Sequence, residues 1–132
     1  MALLEIRRSL QRHPAVKLAS GHPPGQFTRV QADVDPRVVG GACEMGSLIV
    51  RWYAGESVEA RPEFAFHYSD GSGFDCGWHH EPNPHVDGWG HYQERPSRNE
   101  EYVYEPITFE SEVPVRVCWE VMDRLRERLE DL

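Results

Sequence analysis

The sequence predicts an α+β domain: an antiparallel sheet of five to six strands, a C-terminal helix packed on one face, and a shorter N-terminal helix. Three observations carry this. Apolar residues alternate with a period of two through residues 47–54, 63–69 and 74–79. They recur at helical spacing at both ends of the chain, over 2–12 and 111–132. Between two of the alternating runs stands Asp70-Gly71-Ser72-Gly73, the chemistry of a tight turn.

The elements follow in order. Leu3, Ile6 and Leu10 lie at helical spacing with Leu4 beside them, and Pro14 ends that run. Residues 20–26, SGHPPGQ, read as a loop. Phe27 to Val34 reads as a strand with Thr28, Val30, Ala32 and Val34 on one face. Asp35-Pro36 and Gly40-Gly41 interrupt the chain again. From Ser47 to Ala54, Leu48, Val50 and Trp52 alternate with Ile49, Arg51 and Tyr53, and both faces are apolar enough for a central strand. Phe64, Phe66 and Tyr68 mark one face of the next strand, and Phe74, Cys76 and Trp78 one face of its partner.

The register of that hairpin is predictable. A two-residue loop pairs Phe66 with Gly77 and sends the two apolar sets to opposite faces. A three-residue loop keeps them together, so an odd-numbered loop is expected. His67, Asp75, Gly77 and His79 then share the second face. Residues 80–90 read as a loop, and 91–94 and 102–109 as further strands, the last an edge or bulge because of Pro106. Ser111 is the expected cap of the C-terminal helix, whose apolar stripe is Cys118, Val121, Met122, Leu125, Leu129 and Leu132. Glu120–Arg124 and Arg126–Glu130 are expected surface pairs.

A chain of 132 residues, 39% hydrophobic and 27% charged, suits a single domain, read as residues 1–132. Residues 1–40 form a basic N-terminal helix and extension within it. At this size folding buries roughly 65–70% of the surface of the unfolded chain, so no metal or disulfide is required as a staple. No apolar run approaches a membrane span, and the N-terminus lacks the apolar core of a signal peptide. Three well-separated cysteines, Cys43, Cys76 and Cys118, without a C-x-x-C pair, point to reduced thiols in a cytoplasmic protein. The net charge is −8, but residues 1–40 carry six Lys/Arg against three Asp/Glu, and residues 41–132 carry eight against nineteen. Lys17 is the sole lysine. An acidic, lysine-poor composition suits a salt-rich cytoplasm such as that of a halophilic archaeon, although GC-rich codon usage alone also favours arginine.

Five of the seven histidines, His67, His79, His80, His85 and His91, fall within 25 residues. Histidine titrates near neutral pH, ligates metals and carries protons. One reading is a metal centre of His79, His85 and His91, spaced by six, with Asp75, Asp87 and Cys76 nearby and a divalent ion such as zinc. Their spacing matches no defined zinc motif. Another reading is metal-independent cleavage of RNA: one imidazole removes the 2′-hydroxyl proton and another protonates the leaving oxygen. His67 with His79 or His85, oriented by Asp75 or Asp87, has the residues for it, with Arg95, Arg98 or Gln93 holding the phosphate. A third is a structural or partner-binding role for the whole segment.

Around the segment, Trp78 falls on the core face and Trp89, between two glycines, is the more exposed aromatic. Cys76 reads as a small buried hydrophobe. Arg7, Arg8 and Arg12 read as a solvated helix face.

Phe66-His67-Tyr68-Ser69-Asp70, then Phe74 to His80, then Pro82-Asn83-Pro84-His85 and His91-Tyr92-Gln93 follow one another ahead of the C-terminal helix. In this succession the stretch from Gly46 to Leu132 resembles the TumE-like family of prokaryotic toxin–antitoxin systems. The first 40 residues lie outside the resemblance. It implies an α+β fold, a cognate antitoxin as partner and action on RNA. His67, His79, His85 and His91 with Asp75 are then the catalytic candidates. The alternative is a non-catalytic protein-interaction or metal-binding domain.

Overall fold

The computed structural model describes residues 2–57 and 59–132. The chain runs through helix α1 (Ala2–Gln11) and strands β1 (Val16–His22) and β2 (Arg29–Val34), then a 3-10 turn at Pro36–Val39. Strands β3 (Gly46–Tyr53), β4 (Glu63–Asp70), β5 (Asp75–His80), β6 (Gly90–Arg95) and β7 (Val103–Pro106) follow, and helix α2 (Pro114–Glu130) closes it. The strands form one antiparallel meander in the order β1 to β7, each paired with its sequence neighbours. The α+β class is as the sequence predicts, but the sheet has seven strands.

Alternation sorts the side chains onto two unlike faces. Val30, Val50, Phe66, Trp78 and Tyr92 pair in one row across five strands, and Ala32, Leu48, Tyr68, Cys76 and Glu94 in the next. With the exception of Tyr92 and Glu94 these side chains are buried. Both helices contribute to the same core, through Leu3, Ile6 and Leu10 of α1 and Val117, Cys118, Val121, Met122, Leu125 and Leu129 of α2. Burying Phe66 alone removes a large aromatic from water, and truncating it to alanine would cost about 3–5 kcal/mol. Cys76 sits in this core as expected, and burial pushes its thiol up to about 12.

The hairpin register is the odd one. Phe66 pairs with Trp78 and Tyr68 with Cys76. Gly71, Ser72 and Gly73 form the loop, closed by bonds between the Asp70 and Phe74 backbones and from the Gly73 amide to the Asp70 carbonyl. Gly73 has φ of +92°, a left-handed conformation that favours glycine at this position of a three-residue hairpin. Asp70 accepts from the Ser72 amide (2.9 Å) and from the Tyr68 hydroxyl (2.8 Å), locking turn to core.

Several expectations need correction. Residues 16–22 form a strand rather than unassigned chain and loop. β1 pairs with β2 through a bulge near Leu18, so the residues read as an extension supply two strands of the main sheet. α1 packs against β1, β2, β3 and α2. The Ala19 amide donates to the Gln11 side chain (2.9 Å), and Arg7 donates to the Ala19 carbonyl (3.4 Å). β7 stops at Pro106, on the sheet edge as its proline requires. α2 begins at Pro114, because proline suits the first helical turn. The Ser111 hydroxyl accepts from the Val113 amide before the helix starts, so Ser111 is not its cap. Glu120 pairs with Arg124, whereas Arg126 pairs with Asp123. No helix among the described residues is long and apolar enough to cross a membrane.

At the far end of the core, Glu94 fastens α2 to the sheet. Arg128 Nε and Nη2 reach its two oxygens at 2.6 and 2.8 Å, and the Tyr92 hydroxyl donates at 2.7 Å. Arg128 and Tyr92 hold the Glu94 carboxyl below its usual range against the opposing effect of burial. Glu94→Ala strands the guanidinium and the hydroxyl in a partly buried place. Its expected cost is about 1–3 kcal/mol, read as a lower midpoint with unchanged slope in urea unfolding.

Candidate active site

The second face of the sheet carries the histidines, and strand register assembles them. Ile49, His67, Gly77, Gln93 and Tyr104 pair in one row. On one side of that row run Ser69, Asp75 and Arg95, and on the other Ala65, His79, His91 and Pro106. Gly77 is therefore flanked on its own strand by Asp75 and His79 and across the sheet by His67 and Gln93. Diagonal neighbours in a sheet stand roughly 7–8 Å apart at the backbone, within reach of long or aromatic side chains. The absent side chain of Gly77 leaves the space in which His67 and His79 meet.

A Cβ placed on Gly77 would lie 2.6 Å from His67 Nδ1 and 2.6 Å from His79 Nε2. Two imidazole nitrogens thus border one small notch. Each ring is held from behind. His67 Nε2 lies 3.1 Å from Asp75 Oδ1. A carboxylate only accepts, so Nε2 carries the proton and Nδ1 faces the notch. His79 Nδ1 lies 3.3 Å from Glu81 Oε1, which by the same logic leaves the Nε2 lone pair facing the notch. That Nε2 is buried and has no hydrogen-bond partner.

Electrostatics separates the two rings. The His79 side chain is only 13% exposed. Burial, reinforced by His91 and His67, lowers its pKa to about 3, so it is neutral throughout the physiological range. The His67 side chain is 31% exposed and belongs to a polar network. Its partner Asp75 is 8% exposed and also accepts Arg95 Nε at 2.6 Å. Burial would raise the Asp75 carboxyl, but the Tyr102 hydroxyl, Arg95 and His67 together hold it below its usual range. The Arg95 guanidinium stacks 4.7 Å above the Tyr102 ring.

The remaining histidines stand apart from the notch. His91 is fully buried and stacks on His79 at 4.7 Å with 12° between the planes. Burial lowers its pKa as well. His85 stacks on Tyr104 at 4.2 Å and 4°, outside the notch. The loop over residues 81–89 folds over this end of the face: the Glu81 amide bonds the Trp89 carbonyl, and Asn83 Nδ2 lies 3.4 Å from His91 Nε2. His80, one residue on from His79, falls on the core face. There Nδ1 meets the Pro62 carbonyl at 2.7 Å and Nε2 meets Arg61 at 3.0 Å.

Of the residues singled out from sequence, His67, Asp75 and His79 converge. His91 backs His79, and Tyr104 separates His85 from the pair. The His79, His85, His91 set does not converge as a metal centre. The lone pairs of two parallel stacked rings run side by side, and His85 is engaged elsewhere. Among the described residues no group of three or more His, Cys, Asp or Glu is placed to hold a metal ion. Arg95, read as a phosphate holder, is committed to Asp75. Three contributors escaped the sequence reading as site residues: Gly77, Glu81 and Tyr102. Gly77 had a signal, since glycine inside a strand marks a close approach. Glu81 and Tyr102 are fixed by pairing and loop closure and had none.

A groove of about 440 Å³, lined by Thr28, Arg51, Tyr53, Ala65, His79 and Glu81 among others, opens beside the pair. A larger cleft of about 780 Å³, lined by Arg61, His80, Trp89, Phe109 and Glu112 among others, lies away from the notch.

Comparison of the chain with family models, with curated proteins and with solved structures found no match.

Proposed function

We propose that this chain cleaves RNA by metal-independent acid–base chemistry at the His67–His79 pair, as a cytoplasmic TumE-like toxin restrained by a cognate antitoxin. The observation that carries the chemistry is the meeting of His67 Nδ1 and His79 Nε2 over Gly77. His79 Nε2, a lone pair without a partner, takes the 2′-hydroxyl proton. The 2′-oxygen attacks phosphorus and the bond to the 5′-oxygen breaks. His67, protonated at both nitrogens, gives its Nδ1 proton to that leaving oxygen while Asp75 keeps the ring in place. The products are a 2′,3′-cyclic phosphate and a 5′-hydroxyl, so atoms and protons balance. Tyr102 and Arg95 position Asp75. Arg51, exposed on the groove beside His79, is the cation available to an incoming phosphodiester.

The net charge of −8 opposes phosphate binding, so turnover should be favoured by salt that screens the acidic surface. The test is incubation of purified protein with unstructured RNAs in excess chelator, with product ends identified, together with growth after induced expression. Cyclic-phosphate ends and arrested growth support the reading. Intact RNAs with unimpaired growth would overturn it. In that event a non-catalytic interaction domain becomes the better reading, favoured by the open edge of β1 with its exposed Leu18.

A further inference from the structure

We infer that the same notch is a binding site for a borderline divalent transition ion such as zinc, held by His67 Nδ1 and His79 Nε2 over Gly77, and that the ion silences the proton-transfer pair. This rests on the proposed function only for the silencing; the binding itself does not depend on RNA.

Four observations lead to it. The two nitrogens lie within 2.6 Å of a single point. Zinc–imidazole bonds run about 2.0–2.1 Å, so each ring has roughly half an ångström to move. Nothing of the protein's own satisfies His79 Nε2, although it is buried. A buried acceptor without a donor carries a desolvation cost that a metal bond would remove. The far nitrogen of each ring faces a carboxylate, Asp75 for His67 and Glu81 for His79. Histidines that ligate metals nearly always donate their other N–H in this way, which fixes the tautomer and strengthens the ligand. Finally, glycine at position 77 keeps the point between the nitrogens open, where any side chain would fill it.

The ligand chemistry chooses the ion. Imidazole nitrogens suit zinc, copper and nickel, whereas calcium and magnesium take oxygen ligands. With two protein nitrogens the other positions fall to water, so this is an exchangeable site and not a structural staple. The site differs from the His79, His85, His91 set suggested by spacing, because strand register, not sequence interval, decides which nitrogens meet. An ion bound there occupies the His79 lone pair and the His67 Nδ1 position that must carry the proton for the leaving oxygen, so RNA turnover and zinc occupancy exclude one another.

The experiment is a titration of the chelator-treated full chain with zinc chloride. Calorimetry gives stoichiometry, and long-range ¹⁵N–¹H spectra of the imidazoles show which nitrogens shift. One ion per chain is expected, with shifts at His67 Nδ1 and His79 Nε2. Affinity should fall at least tenfold in His67→Ala, His79→Ala and Gly77→Ala. Gly77→Ala is the most telling, because it keeps both histidines and fills the notch. His85→Ala should bind as the parent does. Thermal unfolding identifies any variant that fails to fold, and the nitrogen shifts of the unaltered protein decide the matter even then. Absence of binding, shifts confined to His13, His22 or His85, or equal affinity in a folded Gly77→Ala protein would overturn the inference. Zinc bound at the pair with RNA untouched in chelator would refute the proposed cleavage and leave the metal site standing. RNA cut in chelator and equally well in zinc would support the cleavage and overturn the silencing by the ion.

Discussion

Replacing His79 by glutamine is expected to lower RNA turnover by about 10²–10⁴-fold, the usual contribution of one positioned acid or base. Glutamine is neutral and can still bond Glu81, so the fold around β5 should survive. His67→Gln should cost a similar factor, because it removes the proton for the leaving oxygen while Arg95 still pairs with Asp75. The two groups act on one proton inventory. The double variant should therefore be little worse than either single one, and far from the product of the two effects. His85→Ala should stay near parental activity, since the His85 ring stacks on Tyr104 outside the notch.

The pH profile gives a second handle on the same residue. With its pKa lowered to about 3, His79 keeps its lone pair across the working range and does not itself impose an acid limb near neutrality. Such a depressed base is weak, but a phosphodiester anion entering the groove favours its protonated form and so strengthens it at the moment of transfer. Turnover of His79→Gln within about threefold of the parent would refute the assignment of the base.

The second large effect is on stability. In the unfolded chain His79 titrates near 6.5; in the folded chain it does so near 3. Between those values the unfolded state binds the extra proton, so stability is full above the upper value and is lost as pH falls towards the lower one. From pH 7 to pH 5 the loss attributable to His79 is about 2 kcal/mol. His91 and His13 are shifted in the same direction and add to the slope. The depressed carboxyls of Asp75 and Glu94 contribute only at more acid pH, below the usual carboxylate values. Urea unfolding at the two pH values, on the parent and on His79→Gln, isolates the term. The variant should lose about 2 kcal/mol less than the parent. Identical losses in both proteins would show that His79 is not buried in its neutral form.

The two outcomes bear on each other. A ring kept uncharged by burial is a cost in acid and a lone pair in neutral solution. The structure places that cost where an unpartnered nitrogen of His79 faces the His67 imidazole across Gly77.

How far these features were legible in the sequence varied with the range of the interactions behind them. Strict alternation over 63–69 and 74–79 was enough to give the hairpin its three-residue loop and to place His67, Asp75 and His79 on one face, because a one-residue slip would have put Phe66 and Trp78 on opposite faces and left one of the two apolar sets exposed. The C-terminal helix was equally plain from its apolar stripe. β1 was not, since only Val16 and Ala19 of its residues are buried and its far end runs into a proline-rich turn. Its pairing depends on β2 and on α1, which the local pattern does not encode. α2 starts two residues later than the capping signal suggested, because Pro114 sets the first turn.

What the sequence determined by itself is the face on which each hairpin histidine lies: alternation is a local rule, and burial of the aromatic set leaves a single register. What only the tertiary structure decided is which nitrogens meet. That needed the pairing of β5 with both β4 and β6, the gap at Gly77, and the return of residues 81–89 over His91. Those contacts join residues distant along the chain, and their geometry follows from packing and chain closure, which no local spacing of histidines records.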